Sequence, residues 1–441
     1  MAAFVWFVSL DGISNASAKG IRFIRDAEIE RTIRIFATPV FEAAGLDPTA
    51  VKVYIVNDNG INAFVAGGQK LFINSGLLKQ SDNAGQAIGV IAHEAGHIAG
   101  GHLIRTHEAL SNASAKSILG YVLGGAAAIA TGRGDLASAI ILGGQHIGAR
   151  AFLKYSRGQE AAADQAAMTY LDEIGASSKG LSEFFDKLAG QELLSVGRQS
   201  AYVRTHPLSR DRIAAVEDHV QKSPYTSKAL PERYEILMNR MRGKLRGFTD
   251  SIVQTLRRYP KTDQSVEARY ARAIAYYRRP DLDRALPLID SLLAEAPDDP
   301  FFLELKGQML FENGRLTEAL DPYEKAVRNY PSSGLLRADL ARVQIELGDP
   351  AYLEDAIGHL RVASRVEPNR AFNWRLLAIA QGRSGDTAGS ALSLAHEALL
   401  QGRKPDARFH AGKAEGLFPR GSPGWLQAED ILNATRKKKK K

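Results

Sequence analysis

The sequence predicts a mainly helical protein in which a small α+β domain precedes an α-solenoid. Three observations support this. A long helical pattern over 82–108 carries two histidines four positions apart. Two short apolar runs meet at a Gly-Gly pair, as in a β-hairpin. In the second half, helical units ending in proline recur about every 34 residues. The 441 residues are too many for one ordinary core, so at least two domains are expected.

The composition is typical of a folded globular protein, with 45% hydrophobic and 24% charged residues. The 57 basic and 49 acidic residues give a formal charge of +8, and six of those charges are Arg436 and the lysines at 437–441. The rest of the chain is nearly balanced, so we expect no nucleic-acid partner. The lysine run is expected to be a solvated tail, with contact to anionic lipid as the alternative.

The chain contains no cysteine, so any metal site must use His, Asp or Glu. This absence also fits an oxidising compartment. An apolar run at 2–10 and the small residues Ala16 and Ala18 are similar to the end of a secretory signal. We therefore assign 1–18 as a truncated signal segment. A disordered or buried N-terminus is the alternative, because no basic residue precedes the apolar run.

The first domain is predicted over 19–225. A helix is expected from Arg22 to Leu46, followed by a strand at 51–56. The runs 62–66 and 69–74 flank Gly67 and Gly68 and predict a hairpin.

Residues 117–147 are rich in Ala, Gly, Ile and Leu and at first suggest a membrane segment. Arg133 and Asp135 divide them into halves of about 14 residues, short of the roughly 20 that span a bilayer. We therefore expect two buried or interfacial helices, with contact to a membrane surface as the alternative.

Helical repeats are predicted over 263–420, after a helical connector at 226–262 and before a tail at 421–441. Pro297 and Pro331 lie 34 residues apart, and Pro368 follows 37 residues later. Small residues recur at matching places, where paired helices must approach closely. The pattern resembles the tetratricopeptide repeat, whose period is 34. These small residues include Gly307, Gly314, Ala319, Ala326, Ala341, Gly348, Ala356 and Ala363.

The chemically informative motif is His93-Glu94-Ala95-Gly96-His97. On a helix, positions i and i+4 share one face, so both imidazoles can bind one metal ion. Glu94 lies beside them and can take a proton from water. The flanking residues are apolar, and burying two histidines and a glutamate there is costly unless something binds them.

A third ligand is predicted downstream, where Glu160 and Asp164 stand four positions apart among alanines. One carboxylate can ligate a metal while the other orients a histidine ligand. A salt bridge or cap, perhaps with Arg157, is the alternative. His102, later on the same helix as His93 and His97, is expected to contact a ligand side chain and not the metal itself.

These blocks resemble the zinc metallopeptidases of the CAAX prenyl protease and HtpX type, and the repeats make the chain similar to the BepA-like periplasmic branch. A third block carries the resemblance further: 205–213 contains His206-Pro207 and Arg212 in the family's spacing. The implied fold is a zincin-like (gluzincin) domain. The implied centre is one Zn²⁺ held by His93, His97 and Glu160.

In that family the histidine of the third block faces the zinc. It steadies the oxyanion or fills the open position at rest, and this role would fall to His206 with Arg212 as its partner. The resemblance also implies a periplasmic protein that degrades unfolded or misassembled polypeptides. Its expected partners are outer-membrane proteins and the barrel-assembly machinery.

The hairpin strand offers a place for substrate. Asn62, Ala63, Phe64 and Val65 are expected to pair with an extended polypeptide, or else only to pack in the core. Two other functions stay open: a latent protease acting as a chaperone or scaffold through its repeats, and an adaptor at the membrane surface.

Overall fold

The computed structural model describes residues 22–66, 68–102 and 146–436. The chain divides into two compact units, the first reaching Ala271 and the second beginning at Arg272. The possible signal segment 1–18, the lysines 437–441, and 117–145 of the apolar stretch lie outside the described residues. Among the residues that are described, no helix is both long and apolar enough to cross a membrane.

A four-stranded sheet forms one side of the first unit, in the order β1-β2-β4-β3. The predicted hairpin is confirmed, because β3 and β4 pair antiparallel with Phe64 opposite Phe72. β2 pairs parallel with β4, and the short β1 pairs antiparallel with β2. The strands are β1 Phe23–Ile24, β2 Lys52–Val56, β3 Ala63–Ala66 and β4 Lys70–Asn74.

One face of the sheet packs on helices because apolar side chains alternate along its strands. Ile55, Leu71 and Ile73 are buried there against the helices of the first unit. These helices are α1 Ala27–Ala43, α2 Ser75–Gln80, α3 Ala84–Ala99, α4 His146–Glu173, α5 Lys179–Leu188, α6 Ala201–Thr205, α7 Arg210–Lys222, α8 Glu232–Thr249 and α9 Ile252–Arg258. Two 3₁₀ turns, Gln191–Leu193 and Val196–Arg198, follow α5.

The second unit is built from successive helices joined by short turns. Left-handed glycines at Gly314, Gly348 and Gly385 end helices where other residues would be strained. The helices are α10 Val266–Arg278, which begins in the first unit, α11 Leu282–Glu295, α12 Pro300–Glu312, α13 Leu316–Asn329, α14 Gly334–Leu347, α15 Leu353–Val366, α16 Ala371–Arg383, α17 Thr387–Leu400, α18 Lys404–Leu417 and α19 Pro423–Thr435. A 3₁₀ turn, Pro350–Tyr352, precedes α15.

The repeat pattern and the helices agree where small residues allow close packing. At Gly307 an added Cβ would lie 2.6 Å from the Tyr323 ring, so glycine permits the contact between α12 and α13. Two elements differ from expectation. α1 begins at Ala27, after β1 and the cap Asp26, and α19 lies within the stretch expected to be a tail.

Candidate metal centre

Helix α3 carries the first two histidines into the core. Asn83 caps it by accepting a hydrogen bond from the Gln86 amide, which fixes where the helix starts. His93 and Glu94 are fully buried and His97 is nearly so. The helical spacing brings Nε2 of His93 to 3.0 Å from Nε2 of His97.

Helix α4 carries the carboxylate of Glu160, which reaches the two histidines because α3 and α4 pack closely. A Cβ added to Gly96 would lie 2.8 Å from the carbonyl oxygen of Ala163, so glycine is required at the crossing. The contact sets Glu160 beside both histidines, with its oxygens 3.4 Å from Nε2 of His93 and 3.4 Å from Nε2 of His97.

A third histidine reaches the cluster from the end of α6. Pro207 disfavours a helical conformation at His206, which has φ −127° and ψ 80°, and the helix stops there. Nδ1 of His206 lies 3.1 Å from Glu160 Oε2 and 3.4 Å from Nε2 of His93.

The four buried side chains fit a metal ion. One ligand atom from each of His93, His97, Glu160 and His206 lies within 4.8 Å of the others. Bonds of 2.0–2.1 Å to a tetrahedral ion would place its ligand atoms about 3.4 Å apart. Most of the observed separations, from 3.0 to 3.4 Å, are near that value.

Glu94 is fully buried, and neither of its carboxylate oxygens has a hydrogen-bond partner among the described residues. Burial raises the pKa of Glu94. Its Oε1 lies 3.5 Å from Nε2 of His206. An unpartnered buried carboxylate is costly, so its retention here indicates a group that the protein itself does not supply.

Behind the cluster, Asp164 accepts a hydrogen bond from Nδ1 of His93 at 2.8 Å, which leaves Nε2 free to ligate. Arg212 donates two hydrogen bonds to Asp164, from Nε at 2.6 Å and from Nη2 at 2.8 Å. It also donates from Nη1 to the carbonyl of Pro207 at 2.7 Å, and Nη1 lies 3.1 Å from Glu160. These contacts tie α4, α7 and the His206 turn together.

Burial and the neighbouring charges shift the pKa values of several side chains in the cluster. Burial lowers the pKa of His93, but hydrogen bonds to Asp164 and Glu160 outweigh it and raise that pKa to about 9. Burial lowers the pKa of His97 to about 3. The pKa of Glu160 lies well below its usual range because His206, His93 and His97 together outweigh the opposing effect of burial.

His102 lies behind His97, where Nδ1 of each ring approaches the other at 2.9 Å. This contact lets His102 accept the Nδ1 proton of His97, which again leaves an Nε2 free.

The strand β3 is an edge of the described sheet and runs past the cluster. The carbonyl oxygen of Ala63 lies 3.2 Å from Nε2 of His206. Asn62 is tied down on both sides, since its carbonyl accepts from the Asn74 amide at 3.0 Å and its Oδ1 accepts from Thr205 Oγ1 at 3.4 Å. Of the four residues expected to meet substrate, Ala63 therefore contacts His206, and Asn62 contacts the neighbouring Thr205.

Sequence reasoning missed Tyr202. Its ring packs on that of His206 with centroids 4.6 Å apart and meets Phe184 edge-on at 5.1 Å. Its hydroxyl is buried without a hydrogen-bond partner among the described residues, and burial raises the pKa of Tyr202. The available signal was its position four residues before His206 on one short helix.

Residues 24–220 match the family described as Peptidase family M48, and residues 244–300 and 270–334 match the tetratricopeptide repeat. Residues 24–220 therefore belong to peptidase family M48, and the chain is a metal-dependent peptidase that carries tetratricopeptide repeats. The predicted fold class is confirmed.

Three relatives illustrate the similarity. The beta-barrel assembly-enhancing protease of Yersinia pestis is 25% identical over 366 residues, covering 81% of this chain and 73% of its own. The protein of the same name from Escherichia coli K12 is 23% identical over 403 residues, covering 90% and 81%. Metalloprotease LoiP of E. coli K12 is 31% identical over 176 residues, covering 39% and 63%.

Proposed function

We propose that this protein is a zinc-dependent endopeptidase that cleaves unfolded or misassembled polypeptides in the bacterial envelope. The observation that carries the proposal is the buried set of His93, His97 and Glu160 beside Glu94, whose oxygens accept no hydrogen bond from any described residue. Nitrogen and carboxylate ligands in tetrahedral spacing suit zinc.

The protein's own groups divide the work of hydrolysis. His93, His97 and Glu160 would hold the zinc ion, and when bound it would supply Lewis-acid polarisation of the scissile carbonyl and would lower the pKa of a water molecule. Glu94 takes a proton from the attacking water and passes it to the leaving amine. Its raised pKa suits a group that must hold that proton between the two steps. His206 donates to the oxyanion that develops on the substrate.

Three residues act by positioning others. Asp164 orients His93, and His102 orients His97. The Arg212 guanidinium group donates hydrogen bonds to Asp164 and to the carbonyl of Pro207, and it lies over the Phe185 ring at 5.2 Å. These contacts support a positioning role for Arg212 more than a direct contact with the oxyanion.

The substrate adds as an extended strand to β3, along residues 62–65. Backbone pairing there presents a peptide bond next to His206 while selecting little by sequence. This suits unfolded chains, whose backbones are accessible.

The repeats hold the polypeptide or a partner protein, as stacked helical pairs commonly do. Two relatives that span most of the chain are named for enhancing β-barrel assembly. We therefore propose a periplasmic location, outer-membrane proteins as substrates and the barrel-assembly machinery as partner.

A latent protease that works mainly as a scaffold is the second candidate, and His206 favours it. Its ring lies within the ligand set, where it would fill the position that water needs. Replacing His206 with Ala decides between the roles. A gain in casein cleavage would indicate a blocking ligand, whereas a loss of about a hundredfold with unchanged zinc content would indicate an oxyanion donor.

The proposal is tested by measuring the rate of casein cleavage before the metal is removed with a chelator, after its removal, and after zinc or another divalent metal is added back. We expect chelation to abolish cleavage and about one equivalent of zinc to restore it. Cleavage that survives complete removal of metal would contradict the proposal. Restoration by another metal but never by zinc would contradict the choice of ion.

A further inference from the structure

The sheet has a second face, turned away from the helices, that carries four aromatic rings in contact. Phe23 lies 5.6 Å from Tyr54, Tyr54 stacks on Phe72 at 5.1 Å, and Phe72 stacks on Phe64 at 5.0 Å between ring centroids. The rings are only partly covered, and Phe23 is 45% exposed. The solvated face of a sheet normally carries polar side chains, so a connected aromatic surface indicates a binding partner.

Two lysines continue this face beyond the rings. Lys52 and Lys70 are direct partners in the register of β2 and β4, and both are exposed. Like charges placed opposite each other destabilise a sheet. Neither lysine lies within 4 Å of a described carboxylate, and the four strands contain no Asp or Glu. Lys52 donates a hydrogen bond to the carbonyl of Thr49 at 2.9 Å, and Asp47 in the same turn is near enough for Lys52 to help lower its pKa. The strands therefore present an aromatic and cationic surface, and the carboxylate near it, Asp47, lies in the turn before β2.

We propose that this outer sheet face, made of Phe23, Lys52, Tyr54, Phe64, Lys70 and Phe72, docks on a bilayer surface that contains anionic phospholipid. Aromatic rings occupy the boundary between head groups and acyl chains, while lysines contact the phosphates.

The spacing on the face supports a lipid partner. The lysines lie two residues from Tyr54 and Phe72 along the same strands, which is about 7 Å. This is comparable to the roughly 5–10 Å by which apolar side chains sink below the head groups. Charge complementarity selects an anionic surface over a neutral one.

The docking face shares Phe64 with the proposed substrate strand, but the positions to be varied avoid that residue, and Lys70 pairs with Ala66, outside residues 62–65. Tyr54 and Lys52 lie on β2 and Phe23 on β1, and β4 separates both strands from the edge strand β3 next to the metal centre. Variants at these positions should leave casein cleavage unchanged. Loss of docking and loss of the proposed peptidase function are therefore distinguishable.

The test is flotation of the full chain with phosphatidylcholine vesicles, either alone or with about one third phosphatidylglycerol. We expect binding to the anionic vesicles only. The double variant Lys52→Gln/Lys70→Gln should bind about 30-fold more weakly, since each lysine contributes about 1 kcal/mol near such a surface. The variant Phe23→Ser/Tyr54→Ser should lose about tenfold.

Matched controls come from the second unit. Phe409 is 70% exposed, and Lys404 and Lys413 are exposed on the same helix. Phe409→Ser and Lys404→Gln/Lys413→Gln should bind vesicles as the wild type does. A circular-dichroism melt checks that each variant is folded, and the surface lysine variants keep the test decisive if the aromatic pair does not fold.

Three results would overturn the proposal. The first is a wild type that binds neither kind of vesicle. The second is equal binding by the wild type and both double variants, which would assign lipid contact to another part of the chain, such as the lysines at 437–441. The third is self-association that Phe23→Ser/Tyr54→Ser abolishes without any vesicle binding, which would make the face a contact between copies of the chain.

Discussion

Two charged clusters among the described residues of the first unit differ in how their charges are paired. In one, Lys244 lies 2.8 Å from Asp26 and 3.4 Å from Glu28. Arg240 reaches Glu28 at 2.8 Å and the Tyr270 hydroxyl donates to it at 2.7 Å. Two carboxylates thus meet two cations, and protein groups satisfy both oxygens of Glu28. We call this the balanced cluster.

The metal centre is the opposite case. Glu94, Glu160 and Asp164 bring three carboxylates, while Arg212 brings the one guanidinium group described there. Without an ion, hydrogen bonds raise the pKa of His93 to about 9, so a proton on its ring offsets part of this charge. Metal ligation requires neutral histidines, and two negative charges then remain if Glu94 is ionised. The oxygens of Glu94 accept no hydrogen bond from any described residue. A divalent cation balances that remainder.

The difference teaches how to distinguish a structural cluster from a functional one. Buried charges that only hold a fold together are paired within the protein, because an unpaired buried charge is costly. Charges left over in a buried place indicate a missing ligand. Exchanging one carboxylate in each cluster for its amide should therefore give opposite results.

The largest effect is expected from Glu94→Gln. Loss of the proton carrier should lower kcat for casein cleavage by about 10²- to 10⁴-fold. The free energy of unfolding of the metal-free protein should not fall, because the carboxylate that is removed accepts no hydrogen bond from any described residue. Kinetics and urea unfolding measure the two quantities, and near-normal cleavage would remove Glu94 from the mechanism.

A smaller effect is expected from Asp164→Asn. The amide leaves His93 poorly oriented and Arg212 without its charge partner, so zinc affinity should weaken by about 10- to 100-fold. Competition with a fluorescent chelator measures this. Unchanged affinity would mean that the contact of Asp164 with His93 is incidental.

The balanced cluster provides the matched comparison. Glu28→Gln should lower the free energy of unfolding by about 3 kcal/mol, because it removes the carboxylate that pairs with Arg240 and that shares Lys244 with Asp26. The kcat of the folded protein should stay normal. A Glu28→Gln protein that is stable but inactive would contradict the conclusion that the balanced cluster is structural and the metal centre functional.

Much of the architecture could be predicted from sequence because its signals are local. Helical spacing indicated that His93 and His97 share a face, the Gly-Gly pair indicated the hairpin, and proline periodicity indicated the repeats. The expected capping residue Asn83 is also observed.

What escaped prediction depends on contacts between distant segments. No local pattern joins Lys244 to Asp26, nor Tyr202 to Phe184, because each pair meets only after the helices pack. The two residues of β1 carry too little periodicity to be recognised. The family resemblance brought His206 to attention, but its 3.1 Å approach to Glu160 required the folded chain.

The central claim is that His93, His97 and Glu160 hold one ion while Glu94 moves the proton. Metal content after dialysis, measured by inductively coupled plasma mass spectrometry on Glu94→Gln and Glu160→Ala side by side, tests it most directly. We predict about one zinc per chain in Glu94→Gln and almost none in Glu160→Ala, with both unable to cleave casein. Full zinc occupancy in a folded Glu160→Ala protein would contradict the account.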